Sequence, residues 1–435
     1  MQPELVLQGL ASNPRRYVFF SIFFTARAYY PVLAILFLDL GLSLDQFVLL
    51  NLIWALTIFV FEVPSGALAD TFGRRRLLIA ASVLMIVEML CLLFAPRDGG
   101  LLLLALCVIN RICSGLSEAC ASGADEALAY DSLPEEGRVA AWDALLAQAM
   151  RWRSLGFVVA MILGGVLYDP DTLNFLLPLQ WHISADTAHR LPVALVLLQA
   201  IICFVVCWRM QEPPHAAAGS TLAHAFHLTL GTARWVLRHP VTLVVVVLGV
   251  ALDSVVRNFA TITSSYYRLI ELPEWTYGFV GAALGVFGWF VPSMAQYLNN
   301  RFSMLQNFAL IALGTFIGLA ALIPAWPVYG LVPAMFLMTM MFFLGFTVSR
   351  VLHQAADSSR RATVLSVKGL IFNLGYGLFS LGFSGLLSAF PDTPAGTALR
   401  TALLWQLPFF GVLCVTLFSW AYFVLRKQAP LPQER

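Results

Sequence analysis

The sequence predicts an all-α polytopic membrane protein, with twelve transmembrane helices in two six-helix bundles. Three observations lead there. The 435 residues are 60% hydrophobic and only 11% charged, with a mean hydropathy of +0.80, whereas soluble domains carry about 25% charged residues. The apolar positions gather into runs of the roughly 20 residues that a bilayer-crossing helix needs. One long polar interval, Arg209 to Pro240, divides those runs six and six. Strands or open loops would leave backbone groups unpaired in lipid, so helices are the expected solution.

Span 1 is expected from Tyr17 to Leu38, opening behind Pro14, Arg15 and Arg16, a charged start unlike a cleavable signal peptide. Span 2 follows from Gln46 to Ala69, span 3 from Leu77 to Phe94 and span 4 from Leu101 to Tyr130. Span 5 runs from Trp142 to Tyr168 and span 6 from Leu191 to Trp208. Beyond the polar interval come span 7 from Val241 to Ile270, span 8 from Thr276 to Leu298 and span 9 from Leu305 to Ile323. Span 10 from Val328 to Val351, span 11 from Thr363 to Phe390 and span 12 from Ala402 to Leu425 complete the set. Charged residues or Pro/Gly-rich breaks mark the ends.

Orientation follows from the basic residues. Alternate loops hold Arg74, Arg75, Arg76, Arg138, Arg209, Arg234, Arg238, Arg301, Arg350, Arg360 and Arg361. The opposite loops hold little beyond Arg97, Arg190, Arg268 and Arg400. Positive charge stays inside, so both termini are expected in the cytoplasm of a multi-pass inner-membrane protein. The expected organisation is an N-terminal bundle over 1–208, a cytoplasmic linker over 209–240 and a C-terminal bundle over 241–435. Gln211-Glu212-Pro213-Pro214 opens the linker, and Leu222 to Arg238 reads as an amphipathic helix on the membrane surface. A weak repeat supports two related halves: Val63-Pro64-Ser65 in span 2 returns as Val291-Pro292-Ser293 in span 8.

Several function classes are disfavoured by composition. A net charge of +2 gives no reason to expect nucleic acid. Seven cysteines sit in apolar runs without a CxxC pair, and the histidines lack metal-ligand spacing, so no cofactor or metal is expected. No nucleophile–base pair or phosphate loop is recognisable, which argues against a membrane enzyme.

The most informative stretch is Gly66-Ala67-Leu68-Ala69-Asp70-Thr71-Phe72-Gly73-Arg74-Arg75-Arg76. Two glycines allow helix ends to approach and turn tightly. Asp70 is placed to accept from a helix N-terminus or an arginine. This pattern resembles the signature loop of the major facilitator superfamily, with Thr71 standing where a basic residue is usual. The resemblance implies a gate latch: Asp70 closes the cytoplasmic side, Gly66 and Gly73 give close packing, and Arg74 and Arg75 pair nearby. The copy around Pro292 lacks the aspartate and both glycines.

Ionisable residues within the spans each need a partner or a purpose, because a charge at the bilayer centre costs at least ~2.5–3.5 kcal/mol. Hairpin geometry places Arg27, Glu88 and Arg111 near one plane, and Glu118 opposite Arg151, Trp152 and Arg153. Asp253 and Arg257 are spaced i,i+4 and can pair on their own helix. Lys368 is placed to snorkel. Two readings stay open: these groups neutralise one another and pin packing, or a carboxylate titrates as a cavity opens and closes. In the superfamily fold, spans 1, 4, 7 and 10 line the cavity. That implies Arg27, Tyr30, Arg111, Glu118, Asp253 and Arg257 as cavity or coupling residues, and Glu88 as a buried counter-ion. Tyr29, Tyr266 and Tyr267 are further aromatic candidates.

Arg111 with Gly115, followed by Ser122, Gly123, Asp125, Glu126, Tyr130 and Asp131, is similar to span 4 of the bacterial drug:proton antiporter-like branch. The glycine-proline such exporters often carry in span 5 is missing, where this chain has Gly164-Gly165. The expected function is therefore proton-coupled efflux of an amphipathic or drug-like small molecule by a monomer in the lipid bilayer. The excess of arginine among Arg27, Arg111 and Arg257 motivates the alternative of an organic anion or metabolite. A membrane sensor or a membrane enzyme is the remaining alternative class.

Overall fold

A computed structural model of the chain describes residues 3–97, 99–178, 182–213, 222–355, 361–390 and 396–426. The first half folds as α1 (Pro3–Thr25), α2 (Leu33–Asp39), α3 (Leu44–Phe72), α4 (Arg74–Leu93) and α5 (Leu101–Ala121). It continues with α6 (Ala124–Asp131), α7 (Arg138–Tyr168), α8 (Pro170–Leu176) and α9 (Ala185–Arg209). The interval α10 (Leu222–Arg238) precedes α11 (Pro240–Leu269), α12 (Tyr277–Arg301), α13 (Met304–Leu322), α14 (Leu331–Ala355), α15 (Arg361–Ser388) and α16 (Thr397–Arg426). Among the described residues eleven helical segments are long and apolar enough to cross a bilayer, and a bent pair around α12 makes a twelfth. The bend has a local cause: Pro292 supplies no N–H and its ring crowds the carbonyl four residues back.

Two of the expected spans are interrupted. Span 1 is not one rod: α1 stops at Thr25, a 3-10 turn covers Tyr30–Val32, and α2 resumes at Leu33. Pro31 accounts for the break, since it donates nothing to the ladder and clashes with the carbonyl of Arg27. The Arg27 carbonyl turns instead to the Tyr30 N–H at 3.1 Å. Span 4 divides into α5 and α6 at Gly123, whose φ of +73° is left-handed and favours glycine.

Two compact units emerge. The first comprises Met1–Phe226 together with Pro273–Gly285, the second His227–Leu272 with Val286–Arg435. In the first, α4 packs on α5 and α9, and α3 packs on α5. Small residues allow this closeness. A β-carbon on Gly115 would lie 2.8 Å from the Thr57 Cβ. Ser117 donates to the Ala81 carbonyl at 2.8 Å and Ser65 to the Ala119 carbonyl at 2.7 Å, so polar side chains stitch helix to helix where water is absent.

In the second unit α11 is the central helix, packed against α14 and α15, while α13 packs on α14. Gly249 admits the Phe372 ring, whose nearest carbon would lie 2.7 Å from a β-carbon there. Apolar residues on the spans are left exposed, among them Leu198, Leu313 and Phe409, and lipid tails are their expected neighbours.

Candidate functional site

Three polar clusters stand out against this apolar background. The first sits at the interruption of span 1. Arg27 donates from Nη1 to both oxygens of Glu88, at 2.9 and 2.7 Å. The Tyr29 hydroxyl donates to the Glu88 Oε1 at 2.9 Å. Arg27 is 2% exposed and Glu88 fully buried. The break that Pro31 imposes turns Arg27 and Tyr29 to the same acid on α4. Asn110 of α5 donates to the Glu88 backbone carbonyl at 2.8 Å and accepts from the Arg111 Nε at 2.8 Å. Arg111 therefore joins the cluster through Asn110, with its guanidinium 4.9 Å from the Phe37 ring. Its Nη2 is buried without a hydrogen bond, as is the Nη2 of Arg27. Among the described residues Arg111 pairs with no acid.

Tyr30 meets Tyr29 edge-on, with ring centroids 5.3 Å apart, and is the exposed member of the pair at 41%. Glu118, about two helix turns along α5 from Arg111, is exposed. It interacts electrostatically with Arg27 and Glu88. The expected pairing of Glu118 with the span 5 arginines is not found: Arg153 is an electrostatic neighbour of Asp125 instead.

The second cluster lies on α11 and α15. Arg257 Nη2 stands 2.7 Å from Asp253 Oδ2, and Nη1 donates to Asn373 Oδ1 at 2.9 Å. The same guanidinium lies 5.6 Å from the Tyr376 ring centroid, and the Tyr376 hydroxyl is 3.0 Å from the Thr261 hydroxyl. Lys368 rests its ammonium 4.9 Å from the Phe372 ring. Arg257 thus spends its charge on one acid, one amide and one aromatic face. Tyr266 and Tyr267 are buried, the former donating to the Leu322 carbonyl at 3.1 Å, which makes them packing residues in this arrangement.

The third cluster surrounds the signature loop. Gly73 joins α3 to α4 with φ +100°, a conformation that favours glycine. Two free N–H groups follow at the start of α4, and the Glu212 carboxylate takes both: Arg74 N–H at 2.8 Å and Arg75 N–H at 2.9 Å. Arg74 pairs with Asp131 and donates to the Ala127 carbonyl at 2.9 Å. Arg75 donates to the Trp208 carbonyl at 2.6 Å and lies over its ring. Asn13 closes the group, donating to Ser132 Oγ at 2.9 Å and to the Gln211 carbonyl at 2.7 Å. Gly66 departs from the implied close packing: it is exposed, and no atom lies within 4 Å of where its β-carbon would be. The side chain of Asp70 lies outside the described residues.

Sequence reasoning missed Glu212, Asn110, Asn373 and Tyr376. Glu212 read only as part of a linker, and it lies 138 residues along the chain from Arg74, so no local pattern marks it as the cap. Asn110 stood beside Arg111 in an otherwise apolar run, which is a signal. Asn373 and Tyr376 carry no local mark, since their role depends on α11 crossing α15. Among the described residues no group of three or more His, Cys, Asp or Glu is placed to hold a metal ion.

The family model described as Major Facilitator Superfamily matches residues 17–380. No curated protein matches the chain. Among solved structures, the nucleoside transporter NupG is similar with a TM-score of 0.71 at 10% identity, covering 94% of this chain and 99% of that one. A bacterial homologue of the human lysosomal transporter Spinster, inward-facing and unoccupied, gives 0.63 at 16% identity, covering 99% and 100%. The xylose transporter XylE from E. coli, inward open, gives 0.63 at 15% identity, covering 98% of each chain.

Proposed function

The chain belongs to the major facilitator superfamily, a transporter family and not an enzyme family, and from that premise we propose that it exports an amphipathic, drug-like small molecule across the inner membrane in exchange for protons. Both termini face the cytoplasm in this reading, and the Gly73 loop is part of the inner gate, with Asp70 as its latch. The observation that carries the proton-coupled reading is Glu118: an exposed carboxylate without an ion-pair partner among the described residues, within electrostatic reach of the Arg27–Glu88 pair. One arginine within electrostatic reach of two acids supplies what coupling needs. When Arg27 is committed to Glu88, Glu118 is free to take a proton, and any shift of Arg27 toward Glu118 expels it. Tyr30 places exposed aromatic surface beside these charges, which suits a ligand with one apolar and one polar end.

The experiment is transport in proteoliposomes carrying an internal pH dye, beginning from compounds that stabilise the purified chain in a thermal-shift screen. Substrate addition should move protons in the native chain, and Glu118→Gln should transport without proton movement. Proton-independent transport by the native chain would sink the coupling. A second reading is favoured by one observation: Arg111 is buried with no acid, which would suit an organic anion as substrate. Stabilisation by carboxylates, lost in Arg111→Gln, would choose it.

A further inference from the structure

The helix between the two halves carries a surface that the transport reading leaves unused. Within α10, Thr232 and Val236 are buried, at 6% and 1%. The Thr242 hydroxyl donates to the Val236 carbonyl at 2.9 Å, and the Trp235 ring stacks on His239 with centroids 5.3 Å apart. One side of the helix is therefore fastened to the start of α11, where that span enters the bilayer. The opposite side is open. Leu230 is 67% and Leu237 57% exposed, and Arg234, Arg238 and His227 are exposed with them.

Helical geometry makes this one surface. At ~100° per residue, positions 227, 230, 234, 237 and 238 fall in a single arc of about 100°, centred roughly opposite Thr232 and Val236. Two leucines separated by two turns flank Arg234, and Arg238 lies one turn beyond it. Bare leucine is poorly suited to water, and bare arginine is poorly suited to lipid tails. A surface that wants both at one depth is the boundary between headgroups and acyl chains. Two guanidiniums on that face, with no acid in the helix from Leu222 to Arg238, match an anionic headgroup layer.

We propose that α10 lies on the bilayer through this face and binds anionic phospholipid, with Leu230 and Leu237 inserted at the acyl boundary and Arg234 and Arg238 on the headgroup phosphates. The site needs only that the chain spans a membrane, and is independent of substrate, direction and coupling. It makes the connection between the halves sensitive to the charge of the leaflet it rests on.

Hydrogen–deuterium exchange on the full chain in nanodiscs tests it. Discs of phosphatidylcholine are compared with discs in which about a quarter of the lipid is phosphatidylglycerol. Amides of 227–238 should exchange at least ~tenfold more slowly in the anionic discs, two arginines near a charged surface each contributing about fivefold. That difference should shrink in ~0.5 M salt and vanish in Arg234→Gln/Arg238→Gln. Leu230→Ser/Leu237→Ser should raise exchange in both disc types, with α11 amides unchanged as evidence that the second unit is intact. Equal exchange in both lipids, or a lipid difference that survives loss of both arginines, would overturn the proposal. So would slowing in phosphatidylcholine discs by inorganic phosphate alone, which would assign the face to a free anion and not to the bilayer.

Discussion

Arg27 and Glu88, 61 residues apart in the chain, meet as a buried pair in which one guanidinium nitrogen reaches both carboxylate oxygens. Tyr29 adds a third hydrogen bond to the same acid. Removing one member of a buried pair strands the other charge and costs about 3–5 kcal/mol, whereas an apolar pair of similar volume is often neutral. Arg27→Met and Glu88→Leu alone should each lower the melting temperature sharply, and the double variant should recover most of it. Transport separates the two roles the pair can have. A double variant that is stable but inactive makes the pair functional; a stable double variant with native turnover makes it a packing device.

Glu212 caps α4 by accepting from the first two N–H groups after Gly73. A carboxylate at a helix N-terminus contributes through hydrogen bonds and through the helix dipole, together about 1–2 kcal/mol. Glu212→Ala should cost about that much in thermal stability, and Glu212→Gln less, since the amide oxygen still accepts. Gly73→Ala should be worse than either. It forces a side chain into φ +100°, and its β-carbon would stand 2.8 Å from Glu212 Oε2. Equal melting temperatures for the native chain and Glu212→Ala would remove the capping role.

The ion pair of Asp253 with Arg257 joins residues one turn apart on α11, while Asn373 and Tyr376 of α15 hold the guanidinium from the other side. Asp253→Asn therefore removes a charge but leaves Arg257 two partners. A loss of about 1–2 kcal/mol is expected, below that for Arg27→Met, because Arg257 is 23% exposed against 2% for Arg27 and water offsets part of the charge. Chemical denaturation of the two variants side by side gives the order. A larger loss at Asp253 would mean that α11 depends on this pair for its packing against α15.

Much of this architecture is visible in the chain itself, and the reasons are physical. Lipid excludes water, so each span must be a long apolar run, and reading those runs places most of the helices to within a few residues, with α1, which starts at Pro3 and not at Tyr17, the exception. Charge pairs on one helix are also readable: the i,i+4 spacing of Asp253 and Arg257 is enough. Arg27 and Glu88 could be put near one plane because short hairpins fix the relative depth of consecutive spans. Geometry that depends on a helix breaking is harder. Pro31 lies in a run that otherwise reads as continuous, and only the break lets Arg27 and Tyr29 share one carboxylate. Hairpin depth likewise leaves open which helix faces meet, and Arg153 is an electrostatic neighbour of Asp125, not of Glu118. Helix rotation about its own axis leaves no mark in hydropathy, which is why Asn373 and Tyr376 went unseen.

Gly164 offers the sharpest test of the broken span. The α7 backbone passes so close to the interruption that a β-carbon on Gly164 would collide with the Ala28 carbonyl oxygen. That carbonyl belongs to the stretch where α1 has stopped and the 3-10 turn has not begun, so it cannot move without altering the position of Arg27. Overpacking a tight core contact costs about 1–3 kcal/mol where neighbours can yield, and a fixed backbone atom yields less than a side chain. Gly164→Ala should therefore destabilise by at least ~2 kcal/mol and should also disturb the Arg27–Glu88 pair. Gly345 is the internal control: it too lies within a helix, and nothing stands within 4 Å of its missing β-carbon. Gly345→Ala should be neutral or stabilising by up to ~1 kcal/mol, since alanine restricts the unfolded chain. Thermal unfolding of both variants in the same detergent reads the contrast directly. If the two substitutions behave alike, α7 does not press on the break, and the position of Arg27 must be set by α4 alone.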